Sequence, residues 1–154
     1  MIVQGLIAIY GREDFNGLYK PAMESSSVSR HPPVSGPTMG TAGLRAFERI
    51  ASLWQLSVAQ QLLLLGLQSR STYYKWRRDP AARLPRDTLE RLSYLLGIYK
   101  ALQWLFPDPA AADGWLKRPN QAAPFGGRSA LEHMLSGNVA DLFIVRQYLD
   151  AQRG

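Results

Sequence analysis

The chain has 154 residues, with 18 Lys and Arg against 12 Asp and Glu, a net charge of +6, no cysteine, and 46% hydrophobic and 10% aromatic residues. That length accommodates one compact domain or two very small ones, and the lack of cysteine excludes a disulfide framework, a thiolate zinc site and a cysteine nucleophile. The two histidines, His31 and His133, stand about 100 positions apart, so no metal and no cofactor is expected, and the longest apolar runs, 2–10 and 62–65, fall far short of the roughly 20 residues that cross a bilayer.

The first ten residues carry no charged side chain and so lack the cationic start of a secretory signal, which predicts a cytoplasmic protein with no membrane partner. Ile2-Val3 and Leu6 to Tyr10 read as a strand without a partner. Residues 21–43 hold four Pro, five Ser and three Gly, the composition of a disordered linker. Residues 1–43 are therefore expected to be a flexible extension. Met23 and Met39 are both possible alternative starts, and a chain beginning at Met39 is expected to fold unchanged.

From Gly43 onward the pattern is helical. Leu44, Phe47, Ile50, Ala51 and Trp54 form one apolar stripe at spacings of three and four. Ser57 can cap a second helix carrying Val58, Leu62 and Leu65 that stops at Gly66. A third helix can open at Ser69 and run through Trp76 to Arg78, where Asp79-Pro80 breaks it. Asp87-Thr-Leu-Glu90 reads as a capping box for the longest helix, with Leu89, Leu92, Leu95, Leu96, Tyr99 and Leu102 as its buried stripe and its end near Phe106-Pro107. A short helix fits Pro109 to Leu116. Ser129-Ala-Leu-Glu132 is a second capping box, for a helix closed by Gly137. Asn138 with Asp141 opens the last helix, packed by Val139, Leu142, Phe143, Val145 and Leu149. The fold class is all-α, divided as 1–43, 44–106 and 107–154.

The charge is concentrated in the middle. Residues 41–100 hold ten basic and four acidic side chains, whereas 1–40 and 101–154 are each balanced. Such a block suits a module that docks on phosphates, and it also suits a solvated basic helix face. Gly66-Leu67-Gln68 is a turn short enough to force the steep crossing of a helix-turn-helix. Ser69 opens the next helix, whose N-terminal turn offers backbone N–H groups to DNA; Gln68, Arg70, Ser71 and Tyr74 are of types that reach base edges, and Lys75, Arg77 and Arg78 are placed for phosphates. Trp76 and one of the tyrosines are expected in the core. One recognition helix covers few base pairs, so a homodimer on two half-sites is expected. Tyr94, Ile98, Trp104 and Leu105, outside the main stripe of the long helix, either form that interface or pack within the chain.

In the last third, Ser129-x-Leu131 lacks the second glycine of a Gly-x-Ser-x-Gly elbow, and Ser129 is needed as a cap, so no enzyme is expected. Asn120 to Gly127 reads as a structural corner or a displayed contact edge. The order of helix-turn-helix, long helix, Trp115-Leu-Lys-Arg-Pro-Asn120, Ala123-Pro-Phe-Gly-Gly-Arg128 and Ser129-Ala-Leu-Glu-His-Met-Leu-Ser-Gly137 resembles the Xre/MbcA/ParS family of antitoxins over residues 44–154. Ala130 stands where many relatives carry proline. The resemblance implies a C-terminal domain that binds and neutralises an NAD-consuming RES-domain toxin, and a middle domain that represses its own operon by binding operator DNA. It implies toxin contacts at Trp115, Asn120, Phe125 and Arg128, and at Asp150, Gln152 and Arg153 of a tail that enters the toxin's active-site cleft. A stand-alone helix-turn-helix regulator with a C-terminal dimerisation or ligand domain is the alternative.

Overall fold

The computed structural model describes residues 37–154, which form seven helices: α1 Met39–Leu53, α2 Val58–Leu65, α3 Arg70–Arg78, α4 Arg86–Leu105, α5 Pro109–Trp115, α6 Ala130–Met134 and α7 Val139–Gln152. No strand forms among these residues; one antiparallel bridge joins Pro119 and Ser129. The all-α architecture is the one the periodicity dictates. The apolar run 2–10, the alternative start at Met23 and the linker before residue 37 lie outside the described residues.

The first helix begins earlier than its stripe suggests. Met39 to Gly43, read as linker, belong to α1, because Thr38 caps it and ties it to a distant loop. The Thr38 hydroxyl accepts from the Thr41 N–H at 3.2 Å and donates to the Ala82 carbonyl at 2.9 Å. Thr41 donates to the Pro80 carbonyl at 2.7 Å, and the Thr38 N–H bonds the same oxygen. Gly40 is no turn signal here: a Cβ on it would lie 3.0 Å from Leu89, so glycine is what lets α1 lie close against α4. The stripe itself is as expected, with Leu44, Phe47, Ile50, Ala51 and Trp54 all buried. Each large side chain of this class stabilises by about 1.5–3 kcal/mol before the cost of ordering the chain.

Ser57 and Gln60 close a reciprocal capping box on α2, and Gly66 ends that helix in the left-handed region at φ 69°. Side chains rarely adopt this backbone, and a Cβ at Gly66 would also press on Arg91 and Asp87. Ser69 caps α3, whose Tyr73 is 1% exposed and whose Trp76 is half-buried against the core. That fixes the two expected anchors and leaves the rest of α3 outside except the half-buried Thr72.

The fourth helix starts one residue before the expected box. Pro85 is its N-cap and no side chain caps it, so Asp87 sits inside the first turn, where the helix dipole favours a carboxylate. There Asp87 accepts from Arg91 at 2.8 Å, one turn on, while the Thr88 hydroxyl donates to the Leu65 carbonyl at 3.5 Å and so ties α4 to the end of α2. Leu92, Leu95, Leu96 and Leu102 are buried as predicted; Leu89 and Tyr99 are half-buried. Of the four residues outside the stripe, Ile98 is fully buried, Leu105 is half-buried and Tyr94 packs on Phe143 at 5.8 Å. Only Trp104 of the four stands in solvent, at 72% exposure.

Helix α4 packs on α1, on α5 and, most extensively, on α7. The corner between α5 and α6 is structural: the Asn120 N–H donates to the Arg128 carbonyl, the Gly127 N–H to the Asn120 carbonyl, and the Asn120 side chain accepts from Ala122 at 2.9 Å. Ser129 and Glu132 then make the predicted capping box, and hydrogen bonding from Ser129 holds the Glu132 carboxyl below its ordinary range. That helix ends at Met134, short of Gly137. Asn138 opens α7 without a side-chain cap; its N–H donates to the Ser136 hydroxyl at 3.1 Å, and the Asp141 carboxylate pairs with Ser136 and lies 3.2 Å from His133 Nε2. Leu142, Val145 and Leu149 are buried; Phe143, expected to pack, is 42% exposed at the edge of Tyr94.

The Thr38 cap gives a direct test. Thr38→Ala, or a chain beginning at Met39, should lose about 1–2 kcal/mol of stability, read as a lower thermal midpoint, because both remove the cap and the link to Ala82. An unchanged midpoint would mean that α1 frays without consequence.

Candidate functional site

Two surfaces follow from this packing. The first is the outer face of α3. Gln68, Ser69, Arg70, Ser71, Tyr74, Lys75, Arg77 and Arg78 are all exposed, so the eight residues chosen by type and spacing share one accessible helix and its entry turn. The helix is aimed by its buried side. The Tyr73 hydroxyl donates to Gln61 of α2 at 2.5 Å, and burial pushes that hydroxyl up to about 12, with the Glu48 charge adding to it, so it remains a donor at neutral pH.

Within the face the polar groups are not equally free. The Ser69 hydroxyl holds the cap and lies 2.7 Å from that of Ser71. Arg78 Nε donates to the Tyr74 carbonyl at 3.3 Å, on its own helix. Arg77 pairs with Glu48 of α1 and lies 5.6 Å from the centres of both the Tyr73 and Tyr74 rings. The expectation that Arg77 is placed for phosphates did not anticipate that pairing. Between α1 and α3 these groups line an open cleft of about 520 Å³, with Arg45, Glu48, Ser71, Tyr74, Arg77 and Arg78 on its walls. Burial raises the Glu48 carboxyl, against the opposing pull of Arg77 and Arg45. Arg45 and Glu48 belong to the polar side of the α1 stripe; the stripe was legible, but which of its polar neighbours faces α3 depends on how the helices cross.

The second surface lies where α4, α5 and α7 end together. Trp115 stacks on Tyr148 at 6.1 Å, and Phe125 meets Tyr148 at 5.0 Å, Trp115 at 6.0 Å and His133 at 5.8 Å, each edge-on. Phe125, 1% exposed, sits at the centre of this cluster and has no surface to give a partner; the apolar loop residue is drawn inward to cover the aromatic core. Asn120 is half-buried with its side-chain carbonyl engaged in the corner, and Trp115 is half-buried. Arg128, Asp150, Gln152 and Arg153 are exposed. Asp150 accepts from Arg146 at 2.8 Å and pairs with Arg153 at 3.6 Å, and the Arg153 guanidinium lies 5.3 Å from the centre of the Trp104 ring.

Two shallow clefts open here, one lined by Trp104, Leu105, Asp150, Gln152, Arg153 and Gly154, the other by Leu105, Phe106, Trp115, Tyr148, Leu149 and Gln152. Trp104 is thus part of the C-terminal surface. Its place outside the α4 stripe was the signal for it, and that signal named no partner. Among the described residues no group of His, Asp and Glu is arranged to hold a metal ion, and no helix is long and apolar enough to cross a membrane.

Comparison with known proteins fits both surfaces. Residues 34–97 match the antitoxin Xre-like helix-turn-helix domain, and residues 101–154 match the antitoxin Xre/MbcA/ParS C-terminal toxin-binding domain. The two matches meet inside α4. The chain is also 51% identical over 122 residues, 79% of its length and 92% of the relative's, to the uncharacterized protein y4oB of Sinorhizobium fredii. The chain therefore belongs to the Xre/MbcA/ParS antitoxins, with a DNA-binding helix-turn-helix domain followed by a toxin-binding domain.

Proposed function

We propose that this antitoxin neutralises a RES-domain toxin that consumes NAD, and that it represses its own operon, working in the cytoplasm as a homodimer. The observation that carries the DNA-binding half is the outward face of α3: cationic and hydroxyl side chains on a short helix held at one angle by a buried tyrosine. Arg70, at the first turn, suits a guanine edge in the major groove, and Lys75 suits a phosphate farther along. Two such helices on two half-sites about one DNA turn apart would supply operator recognition.

For the toxin-binding half, the support is the C-terminal rim of Trp104, Trp115, Gln152 and Arg153 beside two clefts, within the segment that matches a toxin-binding domain. An enzyme that consumes NAD must hold a pyrophosphate, so its cleft offers cations or N–H groups together with a carboxylate or hydroxyl near the glycosidic bond. Asp150 and the terminal carboxylate are suited to the phosphate positions and Arg153 to the acid. Because Asp150 is paired with Arg146 and Arg153 in the free chain, entry exchanges those exposed pairs for toxin groups. The antitoxin on this account binds its partners and carries out no reaction of its own.

On the DNA side, Arg70→Ala should cost about 1–3 kcal/mol and relax preference at one base position, measured by mobility shift on DNA from upstream of the gene. Equal loss on all sequences would make Arg70 a backbone contact. On the toxin side, deleting residues 150–154 should leave DNA binding and copurification with the RES-domain protein intact while NAD depletion resumes in cells expressing both. If NAD stays at the full-length level, neutralisation does not depend on the tail entering the toxin's active-site cleft. Trp104→Ala should weaken toxin capture by about 2 kcal/mol, as for a central aromatic anchor, with oligomeric mass unchanged. A halved mass would place Trp104 in the dimer interface.

A further inference from the structure

Four cations, Arg70, Lys75, Arg77 and Arg78, are carried by α3, and on sequence alone each adds to the attraction for phosphate. The structure separates them. Arg77 is paired with Glu48, which comes from a different helix and stands on the wall of the cleft that opens beside the α3 face. The guanidinium is further held near the two tyrosine rings, so it is restrained from two directions. The attachment of α3 to the rest of the domain has its own anchors, the buried Tyr73 ring with its bond to Gln61 and the half-buried Trp76. A carboxylate at this position opposes the function of the surface around it: it cancels one cation and repels an approaching phosphate.

We propose that Glu48 limits the affinity of this antitoxin for the DNA backbone by withholding Arg77 from phosphate. The inference rests on the reading of α3 as the DNA-docking helix. Backbone affinity is sequence-independent, and each phosphate neutralised by a protein cation adds about 0.9 to the slope of log affinity against log salt on duplex DNA. Arg77, already neutralised by Glu48, releases no counterion from DNA. Lys75, exposed at the same end of the helix, does. Glu48 therefore sets a ceiling on binding to bulk DNA while the residues suited to base edges, Gln68, Arg70 and Tyr74, are left unchanged.

The test is a salt titration of the full chain on a random-sequence 30-base-pair duplex. Glu48→Gln should bind about 5–10-fold tighter at 0.1 M salt, with a slope steeper by about 0.9. Glu48→Gln combined with Arg77→Gln should return to the wild-type slope. Arg77→Gln alone should leave the slope at the wild-type value, which keeps the inference testable if Glu48→Gln folds poorly. Glu90→Gln, the same charge change on α4, serves as the control. A slope shallower by about one in Arg77→Gln, an unchanged or shallower slope in Glu48→Gln, or an equal gain in Glu90→Gln would each overturn the inference. Lys75→Gln separates it from the underlying reading. If Lys75→Gln leaves the slope unaltered, α3 is not the DNA face; if it lowers the slope and Arg77→Gln lowers it equally, only the role of Glu48 fails.

Discussion

The structure depends on the burial of α4 between the two halves of the chain. Its 20 residues are long enough to carry a stripe for α1 and further apolar positions, Ile98 and Ala101 among them, that are buried as completely. A helix buried on more than one side loses the clean two-faced pattern of a surface helix, and residues that look surplus in the sequence become core. Both family matches end within or beside this helix, so the DNA-binding and toxin-binding parts are joined by a shared packed element.

On the DNA side, the same economy of burial determines the chemistry of α3. Nine residues bury one tyrosine fully and Thr72 and Trp76 in part, and the other six face out. A helix this short is marginal alone, so its geometry comes from those anchors, the Ser69 cap and the left-handed turn at Gly66. The Glu48–Arg77 pair is a different kind of contact. Half-exposed ion pairs contribute little to stability, which directs attention to what the pair does to the charge of the surface.

On the toxin side, aromatic residues are divided by depth. Phe125 fills the interior, Trp115 and Tyr148 are half-buried over it, and Trp104 stands nearly free beside Arg153. The exposed end of this series is the kind of surface, a rigid aromatic with an adjacent guanidinium, that supplies concentrated binding energy at protein interfaces. The loop before α6 serves by holding Phe125 under the cluster.

The helices, their order and most of their ends are legible in the sequence alone. The caps at Ser57, Ser69 and Ser129 and the stop at Gly66 are local devices, in which a side chain or a backbone conformation satisfies groups within a turn, so they are visible in a few residues. The exposed set on α3 was legible for the same reason, since a short periodic helix with two anchors leaves most of the others outside. Contacts between distant segments required the tertiary structure. The start of α1 at Met39 depends on carbonyls of Pro80 and Ala82, and its glycines looked like a linker until Leu89 was brought against Gly40. Asp87 looked like a cap because capping residues and first-turn acids are the same residue types, and only the position of Pro85 separates them. The pairing of Arg77 depends on how α1 lies against α3, the burial of Phe125 on how the loop before α6 folds over Trp115 and Tyr148, and the exposure of Trp104 on where α4 ends beside α7; periodicity fixes which residues share a helix face and leaves open what that face meets.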